Sequence, residues 1–417
     1  MPAQTEMTPR AAWLLILAAS AILMITMGAR LTTGLFMSPI NTATGLGIAS
    51  ISFALAVGQF VWGAAQPVFG AVADKYGSAK VIVLGALMLA AGMALTPLVS
   101  SQWGLMFTMG FLSAAGAGAG SFSILIGATA QRLPAARRPF AAGFINAGGS
   151  FGQFVFAPLM QAIISSAGWV YAMLTMAAAT LLTIPLAWPL RRSAGTKTAA
   201  GAAAAKHVEA PGMGLGKQIK IALRDRSYLC LHAGFFTCGF HIAFLVTHLP
   251  GEVALCGLSA GVSATALALI GLFNIAGSLT AGALSTRYRM KSLLALMYAS
   301  RAVIIVMYLL APKTAITFYL FAGALGFTWL ATVPPTAGLV GKLFGTRYLS
   351  TLFGLTLLSH QVGGFLGAWL GGLSFVRFGD YTWMWYADIV LALGAALINL
   401  PIREAHIVRA PAAAMKV

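Results

Sequence analysis

Runs of about 20 apolar residues, separated by short polar or glycine-rich stretches, fill the chain from residue 11 to residue 402. An α-helix rises 1.5 Å per residue, so a run of this length crosses a hydrocarbon layer ~30 Å thick. The pattern predicts twelve spans, near 11–38, 48–72, 79–99, 103–128, 139–163, 168–190, 227–250, 260–285, 291–311, 314–338, 349–374 and 381–402. An even number puts both termini on one side. The first run is too long for the core of a cleaved signal peptide and reads as a retained span.

Composition narrows the class further. Of the 417 residues, 59% are hydrophobic and 8% charged, against roughly 25% charged in soluble chains. The net charge of +18 would suit a nucleic-acid binder only if Lys and Arg clustered on one face. They lie between apolar runs instead. Of 26 Lys and Arg, only Arg30 and Arg301 fall deep within spans and only Lys313 and Arg377 in odd-numbered connections, leaving 22 in the N-terminus, the even-numbered connections with the span ends that flank them, and the C-terminus. The positive-inside rule then predicts cytoplasmic termini and a multi-pass protein of the inner (plasma) membrane. Cys230, Cys238 and Cys256 lack metal-ligand spacing and read as packing residues.

Residues 191–226, rich in Ala, Gly and Lys, read as a cytoplasmic linker, either a solvated tether or a carrier of one amphipathic segment on the inner leaflet. The linker divides the chain into an N-terminal bundle, 1–190, and a C-terminal bundle, 227–417. The two repeat each other. Gly28, Arg30 and Pro39 fall on Gly239, His241 and Pro250 at an offset of 211; Gly70 to Lys80 is echoed by Gly282 to Lys291; Gly143 and Gly152 fall on Gly354 and Gly363. These matches predict an all-α membrane protein of twelve transmembrane helices in two pseudo-symmetric six-helix bundles, the design with which transporters build a site at mid-membrane.

Gly70, Asp74, Lys75, Gly77 and Lys80, between the second and third spans, resemble the G-x-x-x-D-[RK]-x-G-x-x-[RK] loop of the major facilitator superfamily. The resemblance implies a conformational latch, the Asp meeting a neighbouring helix end or basic residue. In the second copy Thr286 replaces the acid and Arg289 the second Gly. The second span, with Gln59, Gln66-Pro67 and Gly70, is similar to that of the oxalate:formate antiporters and monocarboxylate porters, and Phe327-Thr328-Trp329 to their aromatic wall. This likeness implies a small carboxylate substrate. The Arg of that branch's eighth helix and the Lys of its eleventh are missing: Ser278 stands where the Arg would be, and span eleven has His360 but no Lys.

Ionisable residues at mid-membrane are costly, ~3 kcal/mol or more, and are functional candidates by default. Arg30 has no acid in the spans of its own half; it is read as a bidentate clamp for a carboxylate, or alternatively as a cap on backbone carbonyls or a snorkelling side chain. His241 is a candidate second charge and proton carrier, or a satisfied core histidine. His248 is read as an interfacial residue before Pro250, with a place on the His241 face as the alternative. Gln59, Asn274, Trp329 and His360 are candidate pocket residues, Gln59 and Asn274 serving equally as helix bridges. Arg301 and Asp388, at similar depth on spans nine and twelve, are expected to form a structural ion pair, with a proton relay through Asp388 as the competing role. The run from Ala114 to Ser121 reads as close packing.

There are no paired carboxylates, no nucleophile-base set and no metal-ligand spacing. The sequence therefore predicts no enzyme, cofactor or metal, but a secondary transporter of a small organic anion, monocarboxylate or small dicarboxylate, coupled to H⁺ and acting as a monomer in the bilayer. The alternatives are a proton-driven drug or solute exporter, which would want an acid in the central N-terminal helices, and a non-transporting solute receptor, which would want a signalling domain.

Overall fold

The computed structural model describes residues 8–134, 137–191 and 214–404. Twelve helices there are long and apolar enough to cross a membrane: α1 Pro9–Thr44, α2 Ile48–Tyr76, α3 Ser78–Leu98, α4 Gln102–Ala130, α5 Arg138–Ala167, α6 Trp169–Leu186, α7 Arg226–Leu255, α8 Ala260–Leu284, α9 Met290–Leu310, α10 Ala315–Phe344, α11 Leu349–Phe378 and α12 Thr382–Asn399. No strand occurs among the described residues. Hydrophobic length sets each span, and turn residues set its ends. Gly77, Gly168, Gly345 and Gly379, all at positive φ, stop α2, α5, α10 and α11 where a side chain would be strained.

The first six helices and the last six form the two bundles, which meet along two seams, α2 against α11 and α5 against α8. Both seams are lined with glycine, so backbone lies on backbone. A Cβ at Gly70 would come 2.9 Å from the Ser350 carbonyl oxygen, and one at Gly354 3.0 Å from the Pro67 nitrogen. Gly143 and Gly282 face each other across the other seam, each Cβ position 3.1 Å from the other's Cα. Small residues at such spacing are how helices approach closely where lipid supplies no hydrophobic drive. The Ala114 to Ser121 run packs in this way too, with Gly116 on Leu89 and Gly85.

Several spans are irregular, which their apolar composition did not signal, among them α1, α4 and α10. α1 tightens to a 3₁₀ turn over Thr33–Phe36. α4 breaks between Ala119 and Phe122, and the freed carbonyl of Gly120 accepts a hydrogen bond from Thr26 Oγ1 at 2.9 Å. α10 breaks between Thr328 and Val333. There Pro334 removes the N–H that would have bonded Leu330, and the Leu330 carbonyl instead accepts from Asn146 Nδ2 of the other half at 2.8 Å. Irregular backbone at membrane depth survives because it is buried in protein.

Most of the 191–226 linker lies outside the described residues. Its last part forms a short helix, Leu215–Ala222, tied to the end of α10 by Gln218 Nε2 donating to the Phe344 carbonyl at 3.3 Å.

Candidate functional site

Arg30 sits in α1 one turn before the 3₁₀ stretch, and its guanidinium turns inward. It lies 4.2 Å from the centre of the Trp62 ring of α2, a cation–π contact. One terminal nitrogen donates to Gln59 Oε1 of α2 and to Gln361 Oε1 of α11, the latter at 3.0 Å. Gln59 and Trp62 are three residues apart and share a helix face. Arg30 also borders a cavity of about 40 Å³, lined by Gln59, Trp62, Met93, Met109 and Ser113. Two carboxamide oxygens and an indole face thus surround a cation that has no carboxylate within 4.0 Å among the described residues.

His241, the counterpart of Arg30 in the second bundle, is 1% exposed. Its Nδ1 is hydrogen-bonded to Asp388 Oδ2 of α12, itself fully buried. The Trp329 ring lies edge-on at 5.6 Å from the imidazole. His241 Nε2, Asp388 Oδ1 and Trp329 Nε1 have no hydrogen-bond partner among the described residues.

The expected Arg301–Asp388 ion pair is corrected by this geometry. α9 and α12 do pack together, but Arg301 donates to the carbonyls of Thr328 and Trp329 instead. Those carbonyls end the first segment of α10, where the helix has no N–H left to meet them and its dipole is negative. The cation goes to the helix end, and the carboxylate goes to His241. His248 is likewise not interfacial: it is 2% exposed, lies directly under Gly371, and its Nε2 donates to the Ala368 carbonyl at 2.7 Å.

Asn274 bridges helices. Its Nδ2 donates to Ser150 Oγ of α5 at 2.6 Å, and its Oδ1 accepts from the Leu330 N–H at 3.0 Å. With Asn146 donating to Ser278 Oγ at 2.6 Å, it makes the α5–α8 seam a polar zipper. His360 packs on Phe235 at 4.8 Å, and its Nδ1 meets Gln361 Nε2 at 2.5 Å. Phe327 is exposed on the outer surface, so of the expected aromatic wall only Trp329 turns inward. The sequence reading missed Trp62 and Gln361. Trp62 was findable from its i, i+3 relation to Gln59, and Gln361 as the polar neighbour of His360 at the midpoint of α11.

At one end of the bundle Asp74 meets the start of α11. Its Oδ2 accepts from the Thr351 hydroxyl at 2.9 Å and the Thr351 N–H at 3.3 Å, and its Oδ1 accepts from Gln131 Nε2 at 3.1 Å. A carboxylate at a helix N-terminus is favoured by the dipole. Lys75 stacks on Tyr76, and Lys80 is exposed at the start of α3. In the second copy, Thr286 Oγ1 donates to the Ala283 carbonyl of its own helix end. The halves also meet at the opposite end, where a Cβ at Gly34 would come 2.4 Å from the Val246 carbonyl oxygen and one at Gly372 3.2 Å from the Ser52 Cβ.

Comparisons with known proteins fit this architecture. The chain is 27% identical over 394 residues to monocarboxylate transporter 13 of Rattus norvegicus, covering 93% of this chain and 89% of that one. It is 24% identical over 387 residues to the oxalate:formate antiporter of Oxalobacter formigenes, covering 89% and 86%. The fold matches that of the proton:xylose symporter XylE, solved with 6-bromo-6-deoxy-D-glucose, with a TM-score of 0.74 at 13% identity over 94% of this chain and 95% of that one. A sequence profile of the Major Facilitator Superfamily matches residues 15–368, and the chain belongs to that family of multi-pass membrane transporters.

Proposed function

We propose that this transporter moves a small organic anion, a monocarboxylate or small dicarboxylate, together with a proton. The observation that carries the reading is Arg30: a guanidinium at mid-membrane, beside a cavity, satisfied by two carboxamide oxygens and an indole face instead of by an acid. A planar guanidinium binds a carboxylate through two parallel hydrogen bonds and stays charged throughout the cycle. The relatives named for monocarboxylate and oxalate transport support the same substrate class.

The proton is assigned to His241 and Asp388. Asp388 is the one carboxylate well inside a span, and its contact with His241 gives a buried pair that holds a proton without creating an isolated charge. Entry of an anion against an inside-negative potential costs ~2.3 kcal/mol per charge per 100 mV. One accompanying H⁺ per anionic charge cancels that cost. Rocking of the bundles 1–190 and 227–417 about the site would expose it to each side in turn, with the Asp74 end cytoplasmic, in an inner-membrane monomer.

The test is uptake of labelled L-lactate and oxalate into proteoliposomes, with and without an inward proton gradient. Wild type is expected to accumulate one or both only with the gradient, and Arg30→Ala to lose accumulation and binding together. Arg30→Ala with normal uptake would remove the clamp from the mechanism.

A further inference from the structure

One of the two hydrogen bonds to the Arg30 guanidinium comes from the other bundle. Gln361 is fully buried at the midpoint of α11 and crosses the α2–α11 seam where α2 has no side chain. A Cβ at Gly63 would lie 2.4 Å from the Gln361 Cβ, and one at Gly364 3.0 Å from Gln361 Oε1. Two glycines therefore form the notch through which the amide reaches Arg30. The amide is also oriented. Its Nε2 donates to His360 Nδ1 at 2.5 Å, which leaves Oε1, the negative end of the dipole, facing Arg30 at 3.0 Å. With Gln59 Oε1 on the same nitrogen, two partial negative charges converge on the cation where a carboxylate would bring a full one.

We propose that Gln361 is a built-in stand-in for the substrate carboxylate. It occupies Arg30 and ties the two bundles together at the centre whenever no anion is there, and an incoming anion has to displace it. The proposal rests on the reading of Arg30 as the anion clamp. A full negative charge hydrogen-bonds a guanidinium about twice as strongly as a neutral amide does, so a carboxylate wins the exchange and a neutral solute does not. The tie also bears on net movement. Net uptake requires the unloaded carrier to close and reopen on the other side, and a closed form with an unneutralised Arg30 would be costly. Gln361 relieves that cost, whereas exchange of one anion for another never visits the unloaded closed form. His360 acts here as a positioning residue, through Gln361.

The experiment uses the full chain with Gln361→Ala, Gln361→Glu and wild type, each also carrying Ser52→Cys or Ser350→Cys. Ser52 and Ser350 are each 1% exposed and lie on the seam at opposite ends, so alkylation at position 52 or 350, located by peptide mass spectrometry, reports opening. Gln361→Ala is expected to raise alkylation at one or both ends about tenfold, equal to about 1.4 kcal/mol. It is also expected to tighten binding of oxalate or L-lactate and to slow net uptake about tenfold while exchange persists. Gln361→Glu, which places a permanent carboxylate on Arg30, is expected to lower alkylation and abolish anion binding. A merely structural glutamine would instead weaken binding, net uptake and exchange together in both variants. That result, or alkylation unchanged in both, overturns the proposal. If Gln361 controls alkylation while oxalate and L-lactate leave wild-type alkylation and binding unmoved, the tie stands and the anion reading of Arg30 falls.

Discussion

Arg30 and His241 occupy equivalent places in the two repeats but hold different chemistry. A guanidinium offers a planar fork of donors, whereas an imidazole against a carboxylate shares a proton position with it. Arg30→Lys tests the first half of that contrast. A compact ammonium cannot make the planar two-oxygen contact, so anion binding is expected to weaken roughly 10- to 100-fold, measured by equilibrium dialysis with labelled oxalate and L-lactate. Asp388→Asn tests the second. Proton-driven accumulation should vanish while exchange without a gradient continues, and accumulation that survives would take the proton away from this pair. Arg30, His241 and Gln59 were legible in the sequence as polar residues deep in apolar runs, two of them locked in register by the repeat. The partner of Arg301 was not, because it depends on carbonyls that only a broken helix exposes. The one hint was Pro334-Pro335, which leaves Leu330 and Ala331 without their helical donors.

Helix contacts in this protein depend on what glycine leaves out. Where α7 packs on α11, a Cβ at Gly363 would come 2.0 Å from the Phe236 carbonyl oxygen and one at Gly367 2.2 Å from that of Phe240. Backbone atoms cannot move aside as a flexible side chain can. Gly363→Val is therefore expected to force α7 and α11 apart at a cost of ~1–3 kcal/mol, seen as a lower melting temperature in detergent; an unchanged melt would show that the helices have slack. The spans were readable to within about six residues because hydrophobic length sets each one, the turn residues then fixing its ends. The breaks in α1, α4 and α10 were not, since an interrupted apolar run is as apolar as a continuous one.

The two bundles are held together by few polar bonds: Asp74 to Thr351 at one end, Arg30 to Gln361 at the centre, and the Asn146 and Asn274 bridges along α5 and α8. Asp74→Asn keeps the size of the side chain and removes its charge from the α11 N-terminus. It is expected to loosen that end, raising alkylation of Ser350→Cys several-fold and leaving Ser52→Cys little changed; equal rises at both ends would mean that Asp74 stabilises the fold instead of one closure. The bundle architecture and the Asp74 loop were open to sequence reading because duplication writes each feature twice. The choice of Gln361 as the link between bundles was not, because it has no counterpart in the first repeat, where Ser150 stands at the matching place. Between those bonds the glycine positions of the seams leave main chain close against main chain. The speed of turnover should then be set by how tightly a given anion replaces the central bond, so that the tightest-held cargo is also the slowest carried.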